Sequence, residues 1–199
     1  MQIAMPSEIS SHTFDSPLSE FNDAALAKLA CANKLAFAEL YRRHLDRVYR
    51  YLLVRVGNPR DAEDLAAQTF MQAMQHIGKF RGEGEFAAWL LSIARNKAHD
   101  HFRGWRETAS FEDALETPQP GPAPDDVTAQ RLQLLEVSTA LRVIAPERAE
   151  ALVLRIFGEL SMAEVGRVMG KSEAAVKMLV SRALADLREC LAANGVRDE

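Results

Sequence analysis

The sequence predicts an all-α protein with two small helical domains joined by a proline-rich, acidic linker. Apolar residues recur at steps of three or four along both halves of the chain, and no stretch alternates apolar and polar residues as a strand would. Between the halves, four prolines fall within seven positions, which forbids a continuous helix. Since 199 residues suffice for two small domains, we expect one at 34–105 and the other at 129–192.

The composition is that of an ordinary globular protein, with 48% hydrophobic and 26% charged residues. No apolar run approaches the roughly 20 residues that span a bilayer, and the N-terminus lacks the basic flank and apolar core of a secretory signal. Cys31 and Cys190 match no metal-binding spacing and favour buried free thiols in a reducing compartment over a disulfide. We therefore expect a cytoplasmic protein without membrane insertion.

The net charge of −4 is unevenly distributed along the chain. The linker, residues 106–128, carries six acids and one arginine, whereas the two predicted domains are neutral to slightly basic. Non-specific affinity for nucleic acid comes from neutralising phosphates. A chain with this balance should bind free DNA poorly, which favours a protein partner in any DNA-binding activity.

Three helices are predicted in the first domain. The first ends at Gly57-Asn58-Pro59, the second opens with acids at Asp61 and closes at Gly78, and the third runs from about Phe86 to Arg103. Their predicted inner faces are Phe37, Tyr41, Leu45, Val48, Leu52 and Val56; then Ala62, Ala66, Phe70, Ala73 and Ile77; then Phe86, Leu90, Ile93, Ala94 and Ala98.

The second domain is predicted to end in a helix-turn-helix. Residues 161–164 form a capping box that starts a short helix, Gly170 suits the left-handed residue after it, and Ser172 caps a longer helix. In such a unit the second helix enters a major groove. Ahead of it we expect a helix with Leu134, Leu141 and Ile144 inside, and another that begins at Pro146 with Ala149, Leu152, Val153 and Ile156 inside.

Two helix faces are candidates for nucleic-acid contact. The last helix offers Lys171, Lys177 and Arg182 near a tip of small residues, which phosphates and base edges can approach closely. In the first domain, Trp89 and Asn96 share a polar stripe that could stack on and hydrogen-bond an unstacked base. The alternatives stay open: the cations are ordinary solvated side chains, and the tryptophan is half-buried core.

The remaining polar residues suggest no catalysis. Asp61, Glu63 and Asp64 form either an acidic docking surface or the usual acidic partners of a helix N-terminus. His99 and His101 are two residues apart, which places them on different helix faces and argues against a metal site. Since no catalytic triad, phosphate-binding glycine loop or paired carboxylates occur, we expect no enzyme activity, no catalytic residue and no cofactor.

Two long segments resemble a known family. LAFAELYRRHLDRVYRYLLVRVGNPRDAEDLAAQTF, followed by FRGEGEFAAWLLSIARNKAHDHFR, resembles region 2 of the extracytoplasmic-function (ECF) class of sigma factors. APERAEALVLRIFGELSMAEVGRVMGKSEAAVKMLVSRALADLRE resembles region 4 of that class. The resemblance covers about residues 34–192 in the order of the family, so it implies a sigma region 2 bundle and a sigma region 4 helix-turn-helix.

The resemblance also implies roles for particular residues. Region 2 would melt and read the −10 element, region 4 would read the −35 element as duplex, and the acidic helix would dock on polymerase. The implied −10 contacts are Arg81, Trp89, Arg95, Asn96, Lys97 and His101, with residues 80–84 as the loop that accepts a flipped base. The implied −35 contacts are Lys171, Ser172, Ala174, Ala175, Lys177, Met178 and Arg182. The implied polymerase-binding residues are Asp61, Glu63, Asp64, Leu65 and Phe70.

The chain departs from the family pattern at several positions. Ala67 and Gln68 stand where the family commonly has Gln-Glu, so one acid that faces polymerase is missing. Ala175, Met178 and Leu179 replace frequent polar residues, which suggests a larger share of phosphate contacts and DNA shape in −35 recognition. Residues 1–33 form an N-terminal extension and a candidate for disorder, and residues 193–199 form a tail.

These observations predict a sigma factor that binds core RNA polymerase and directs promoter recognition and opening. Its expected partners are core polymerase, promoter DNA and an anti-sigma factor, and the resemblance implies that the acidic linker threads near the polymerase active centre. One alternative is a helix-turn-helix regulator that binds duplex DNA as a dimer without polymerase. Another is a sigma-like interaction module that titrates a regulator.

Overall fold

Eight α-helices follow one another in the described residues of the computed structural model, which are 17–82, 85–108 and 129–193. No strand occurs in these ranges, so the predicted all-α class is confirmed. Two short 3-10 turns lie at Leu18–Glu20 and Ile77–Lys79. The helices are α1 (Asp23–Ala30), α2 (Lys34–Val56), α3 (Pro59–His76), α4 (Phe86–Thr108), α5 (Ala129–Leu141), α6 (Pro146–Ile156), α7 (Met162–Met169) and α8 (Glu173–Ala193).

The junction between α2 and α3 shows how local sequence sets helix ends. Gly57 ends α2 with a φ of 70°, a left-handed conformation that glycine adopts without steric cost. The Asn58 side chain then accepts hydrogen bonds from the backbone N–H groups of Arg60 and Asp61. Pro59 takes the first helical position, where its missing N–H is not needed. Helix α3 therefore begins two residues before the predicted start at Asp61.

Helices α1 to α4 form the N-terminal bundle, whose core lies between α2, α3 and α4. The predicted inner faces of α3 and α4 are buried throughout. On α2 the predicted stripe is buried except at two positions, since Leu45 is half-buried and Tyr41 is 41% exposed. Tyr41 instead lies edge-on to Phe70 at the rim of the core, with 4.7 Å between the ring centroids.

The N-terminal extension includes ordered structure. Helix α1 packs on α2 and buries Leu26 and Ala27. The guanidinium of Arg43 donates to the carbonyl oxygens of residues 18, 19 and 21, and His44 lies 2.6 Å from the carboxylate of Asp23. The expectation of disorder is therefore corrected for residues 17–33, because their polar backbone and apolar side chains have partners on α2. Residues 1–16 lie outside the described ranges.

Helices α5 to α8 form the C-terminal bundle, in which α6 lies against both α8 and α2. Ala149, Leu152 and Val153 are buried as predicted, but Ile156 is 49% exposed. The buried positions that the periodicity did not indicate are Glu150, Ala151 and Leu154. Contact with α2 as well as α8 buries a second side of α6, and this is the physical reason for the difference.

The two bundles pack directly on each other. Helix α5 lies along α2, α6 contacts α2, and α7 contacts α4. A β-carbon at Gly158, just after α6, would lie 3.0 Å from Cδ1 of Leu91 on α4, which shows how closely the bundles approach. The predicted linker lies outside the described residues at 109–128, as do residues 83–84 of the predicted base-accepting loop and 194–199 of the tail.

The described residues also bear on the cysteines, on metal binding and on membrane insertion. Cys31 is exposed and Cys190 is half-buried, so the expectation that both are buried is corrected. In the described ranges, no group of three His, Cys, Asp or Glu side chains is arranged to hold a metal ion. None of the helices within these ranges is long and apolar enough to cross a membrane.

Candidate nucleic-acid interface

The helix-turn-helix is built by reciprocal capping and two glycines. The Ser161 hydroxyl accepts from the backbone N–H of Glu164 at 3.3 Å, and the Glu164 carboxylate accepts from the Ser161 N–H at 2.7 Å. Helix α7 ends at Gly170 with a φ of 67°. A β-carbon at Gly166 would lie 2.7 Å from the carbonyl oxygen of Lys171, so only glycine lets α7 approach the start of α8 this closely. Gly166 was not among the residues predicted to shape this motif.

The outward side of α8 carries the predicted −35 contacts. Ser172, Ala174, Ala175, Lys177, Met178 and Arg182 are exposed, and Lys171 is half-exposed. Val176 and Val180 lie on the buried side. The ammonium groups of Lys171 and Lys177 each lie 2.7 Å from a carboxylate, of Glu147 and Glu173 respectively. Such surface ion pairs are weak, so both ammonium groups can exchange a carboxylate for a phosphate.

The predicted −10 contacts lie on α4 and just before it. Asn96 and Arg81 are exposed, whereas Lys97 and His101 are half-buried. Trp89 is also half-buried, with its ring centroid 5.6 Å from that of Phe80 and 5.5 Å from that of Phe86. Trp89 therefore contributes to the core as well as to the surface, whereas Asn96 lies on the surface of α4.

The acidic start of α3 divides into surface and core residues. Glu63 and Asp64 are exposed, and Asp61 is partly exposed with its carboxylate 3.6 Å from His101. Leu65 and Phe70, which were grouped with the docking residues, are only 5% and 4% exposed. Their side chains are packed inside the N-terminal bundle, so they lie behind the exposed acids and not on the surface.

One carboxylate of the C-terminal bundle is buried against the N-terminal bundle. Glu150 of α6 is 3% exposed and accepts a 2.6 Å hydrogen bond from the Tyr51 hydroxyl. Three further groups surround it: Arg55 at 3.0 Å, His99 at 3.4 Å and Arg95 at 4.0 Å.

The electrostatics of this cluster keep the carboxylate charged. Burial raises the pKa of Glu150, but the hydrogen bond with His99 and the arginine charges act in the opposite direction, and the net pKa lies below its usual value. Burial raises the pKa of Tyr51 well above its usual value, so its hydroxyl remains a donor. The cluster is therefore a buried, hydrogen-bonded ion network that joins the two bundles.

Two other ionic contacts join the bundles. Arg131 of α5 pairs with Glu63, and its Nε donates a 2.6 Å hydrogen bond to the hydroxyl of Tyr49. Glu159 lies 2.7 Å from Arg47 and 3.1 Å from Arg50. The C-terminal bundle thus engages Glu63, a predicted docking acid, and through Glu150 also Arg95, a predicted DNA contact.

Comparison with known families and proteins matches both bundles. The family model for sigma-70 region 2 matches residues 40–107, and the model for sigma-70 region 4 matches residues 134–187. The ECF RNA polymerase sigma factor BldN of Streptomyces coelicolor is 40% identical over 162 residues, which are 78% of this chain and 60% of BldN. The ECF RNA polymerase sigma factor SigM of Bacillus subtilis is 30% identical over 171 residues, which are 81% of this chain and 98% of SigM.

The chain belongs to the ECF class of RNA polymerase sigma factors. Its fold agrees with that of CnrH, solved in complex with the cytosolic domain of CnrY, with a TM-score of 0.69 and 27% identity over 87% of this chain and 99% of CnrH. The N-terminal bundle of this sigma factor thus contains region 2, and the C-terminal bundle contains region 4. The presence of both regions in order disfavours a duplex-binding regulator that acts without polymerase.

The contacts of this sigma factor across its two regions were not visible in the sequence. Tyr51, Arg55 and Glu150 were absent from the predicted site because Glu150 lies in an ordinary helical sequence, where a glutamate is normally exposed. The helical period does place Tyr51 and Arg55 one turn apart on the same side of α2. Their common partner, Glu150, lies 99 and 95 residues further along the chain. Sequence spacing carries no information about pairs this distant.

Proposed function

We propose that this sigma factor binds core RNA polymerase and directs promoter recognition and opening, and that it catalyses no reaction itself. The observation that carries the proposal is that one chain presents two separate candidate DNA-reading faces, the exposed side of α8 and the polar side of α4. A duplex-binding regulator needs only the first of these faces. Because core polymerase transcribes in the cytoplasm, this is also the proposed place of action.

Region 4 is proposed to read the −35 element as duplex DNA. The N-terminal end of α8, with its small alanines and capping serine, is narrow enough to enter a major groove. Lys171, Lys177 and Arg182 supply phosphate contacts that position the helix. Since Met178 is 54% exposed on the same side, apolar contact with a thymine methyl group supplies part of the base readout.

Region 2 is proposed to capture melted bases of the −10 element. Asn96 is exposed on α4, with the cations Arg95 and Lys97 on either side of it in the sequence. An amide with a donor and an acceptor can pair with the edge of an unstacked base, while the cations hold the strand. Binding free energy from such contacts offsets an unstacking cost of a few kcal/mol per step.

The acidic start of α3 is proposed to dock on polymerase. Asp61, Glu63 and Asp64 place three carboxylates on the first two turns of one helix, on the surface of region 2. Surface charges of this kind steer and orient association with a basic partner. A second protein partner is an anti-sigma factor, supported by the family and by the solved complex of CnrH with CnrY.

The experiment is reconstitution with purified core polymerase followed by run-off transcription. The wild-type chain should co-purify with core and produce promoter-specific transcripts, whereas the free chain should bind promoter duplex weakly at physiological salt. Tight, sequence-specific binding of duplex DNA by the free chain would overturn the proposal in favour of the dimeric regulator.

Charge reversal tests the docking surface in the same assay. Asp61→Lys with Asp64→Lys should reduce binding to core without changing the helical content, because surface charges contribute little to folding. The matched control is Glu136→Lys with Glu189→Lys, which reverses two exposed acids outside the proposed surface. If the two double variants bind core equally well, the docking assignment is wrong.

A further inference from the structure

Four side chains of region 2 converge on the buried carboxylate of Glu150. Tyr51 and Arg55 lie one turn apart on α2, and Arg95 and His99 lie one turn apart on α4. Helices α2 and α4 pack against each other within the same bundle. The four groups therefore remain together when region 4 moves away, and they then form an oxyanion site without its present occupant.

Glu150 does not use all the donors of this site. Arg55 and Arg95 each retain a buried Nε–H with no hydrogen-bond acceptor among the described residues. The nearest approach of the Arg95 Nε to Glu150 is 4.0 Å, which is too long for a hydrogen bond. A phosphodiester also presents two anionic oxygens, and arginine forks match its geometry. A phosphate that enters from solvent is not fixed to a helix as Glu150 is, so it can adjust its position to accept from the N–H groups that Glu150 leaves unused.

Region 2 carries one further cation next to this site. Arg103 lies one turn after His99 on α4 and is paired with Asp100 at 3.0 Å, in an ion pair that is largely exposed to solvent. Because surface ion pairs are weak, Arg103 can exchange this carboxylate for a phosphate. A polymer with one phosphate per unit can contact Arg103 and the buried site together, whereas a single small anion would use only one of them.

We propose that Tyr51, Arg55, Arg95 and His99 form a phosphate site for single-stranded DNA, which Glu150 occupies while region 4 packs on region 2. The inference rests on the proposed function, since it concerns the strand that region 2 captures. We call the arrangement in which region 4 packs on region 2 the closed form. In the closed form the carboxylate of Glu150 occupies the position of a phosphodiester, and Arg131 pairs with the docking acid Glu63. Separation of the two regions on core polymerase therefore exposes the strand site and at the same time releases Glu63 from its ion pair with Arg131.

The test uses the full chain without polymerase or promoter. Glu150→Gln keeps the size of the side chain and removes its charge, so the closed form should open and its radius of gyration in small-angle X-ray scattering should rise. Binding of a fluorescent, mixed-sequence single strand of about 12 nucleotides is followed by anisotropy. If the wild-type site is free about one-tenth of the time, the variant should bind about tenfold more tightly.

Two further variants make the result specific. Glu136→Gln removes the same charge from an exposed position of the C-terminal bundle and should leave both measurements close to wild type. Glu150→Gln with Arg55→Gln should stay open but lose the gain in DNA affinity. If Glu150→Gln does not fold, as judged by circular dichroism, Arg55→Gln alone should open the chain without raising its DNA affinity.

Several outcomes would overturn the inference. Unchanged scattering in Glu150→Gln would show that Glu150 does not hold the regions together. Opening without tighter DNA binding would show that the four groups do not bind phosphate. Binding of a glutamate-rich peptide, but not of the oligonucleotide, would assign the site to an acidic protein partner instead. Failure of the proposed function is separate, because it would appear as absent transcription with core polymerase.

Discussion

The hydroxyl of Tyr51 on α2 donates a 2.6 Å hydrogen bond to Glu150 on α6, 99 residues further along the chain. Tyr51 is fully buried and Glu150 is 3% exposed, so neither group has access to water in this arrangement. A buried hydrogen bond to a charged acceptor contributes more to stability than one between neutral groups. This pair is the most enclosed polar contact between region 2 and region 4 in the described residues.

Tyr51→Phe should destabilise the closed form. The substitution removes the donor and leaves Glu150 with one hydrogen bond fewer, at a cost of roughly 1.5–3 kcal/mol in the free energy of unfolding. Urea denaturation followed by circular dichroism measures it. Tyr41→Phe, at an exposed position of the same helix, is the matched control and should change little. Equal effects of the two substitutions would contradict a special role for the Tyr51 hydroxyl.

Acid should weaken the contribution of Glu150. Its pKa in the folded protein lies below the ordinary value of 4.5, so the stabilisation is fully present above that pH. It is lost as the pH falls through the folded pKa, because the protonated carboxyl no longer attracts the arginines. The difference in free energy of unfolding between wild type and Glu150→Gln should therefore be constant near neutral pH and shrink in acid. A difference that persists at pH values below the carboxyl range would contradict this.

Two glycines of the helix-turn-helix should respond differently to alanine. Gly170→Ala puts a β-carbon in open space but in a left-handed conformation, so it should cost about 1 kcal/mol of stability and keep the motif intact. Gly166→Ala puts a β-carbon 2.7 Å from the carbonyl of Lys171, which must shift the start of α8. Promoter binding by the holoenzyme should thus fall in Gly166→Ala alone. Equal DNA binding by both variants would show that the start of α8 tolerates the shift.

Substitutions in the two candidate DNA-reading faces should impair different stages of transcription initiation. Arg182→Ala removes an exposed cation from α8 and should weaken the closed complex, by an amount that shrinks as salt rises, with the salt slope reduced by about 1. Asn96→Ala should leave the closed complex intact and impair opening, since unstacked bases are absent from duplex DNA. Filter binding and permanganate footprinting separate the two stages.

A pre-melted template provides the control for that pair. A bubble at the −10 element should restore opening to Asn96→Ala, because the unstacking step is already complete. It should not restore binding to Arg182→Ala, whose defect precedes melting. Rescue of the Arg182 variant alone would mean that the two faces have exchanged roles. Trp89 is unsuitable here because its packing against Phe80 and Phe86 makes a loss of stability of roughly 3–5 kcal/mol the dominant effect of truncation.

The sequence by itself determined the helices and the family. Helix ends depend on groups within four residues, so they can be predicted without any tertiary information. Examples are the asparagine at 58, the capping box at 161–164 and the glycine at 170. The same holds for the exposed side of α8, because the helical period alone places Met178 and Arg182 on the side away from Val176 and Val180.

Only the tertiary structure decided which charged side chains meet. The periodicity of α6 predicted that Ile156 is buried and that Glu150 is exposed to solvent. In the structure α2 packs on the side of α6 that carries Glu150, and Ile156 is 49% exposed. Burial at a given position depends on which element packs there, and that element can come from any distance along the chain. For the same reason Leu65 and Phe70 lie in the core and not on the predicted docking surface, and the carboxylate of Glu150 joins region 4 to region 2.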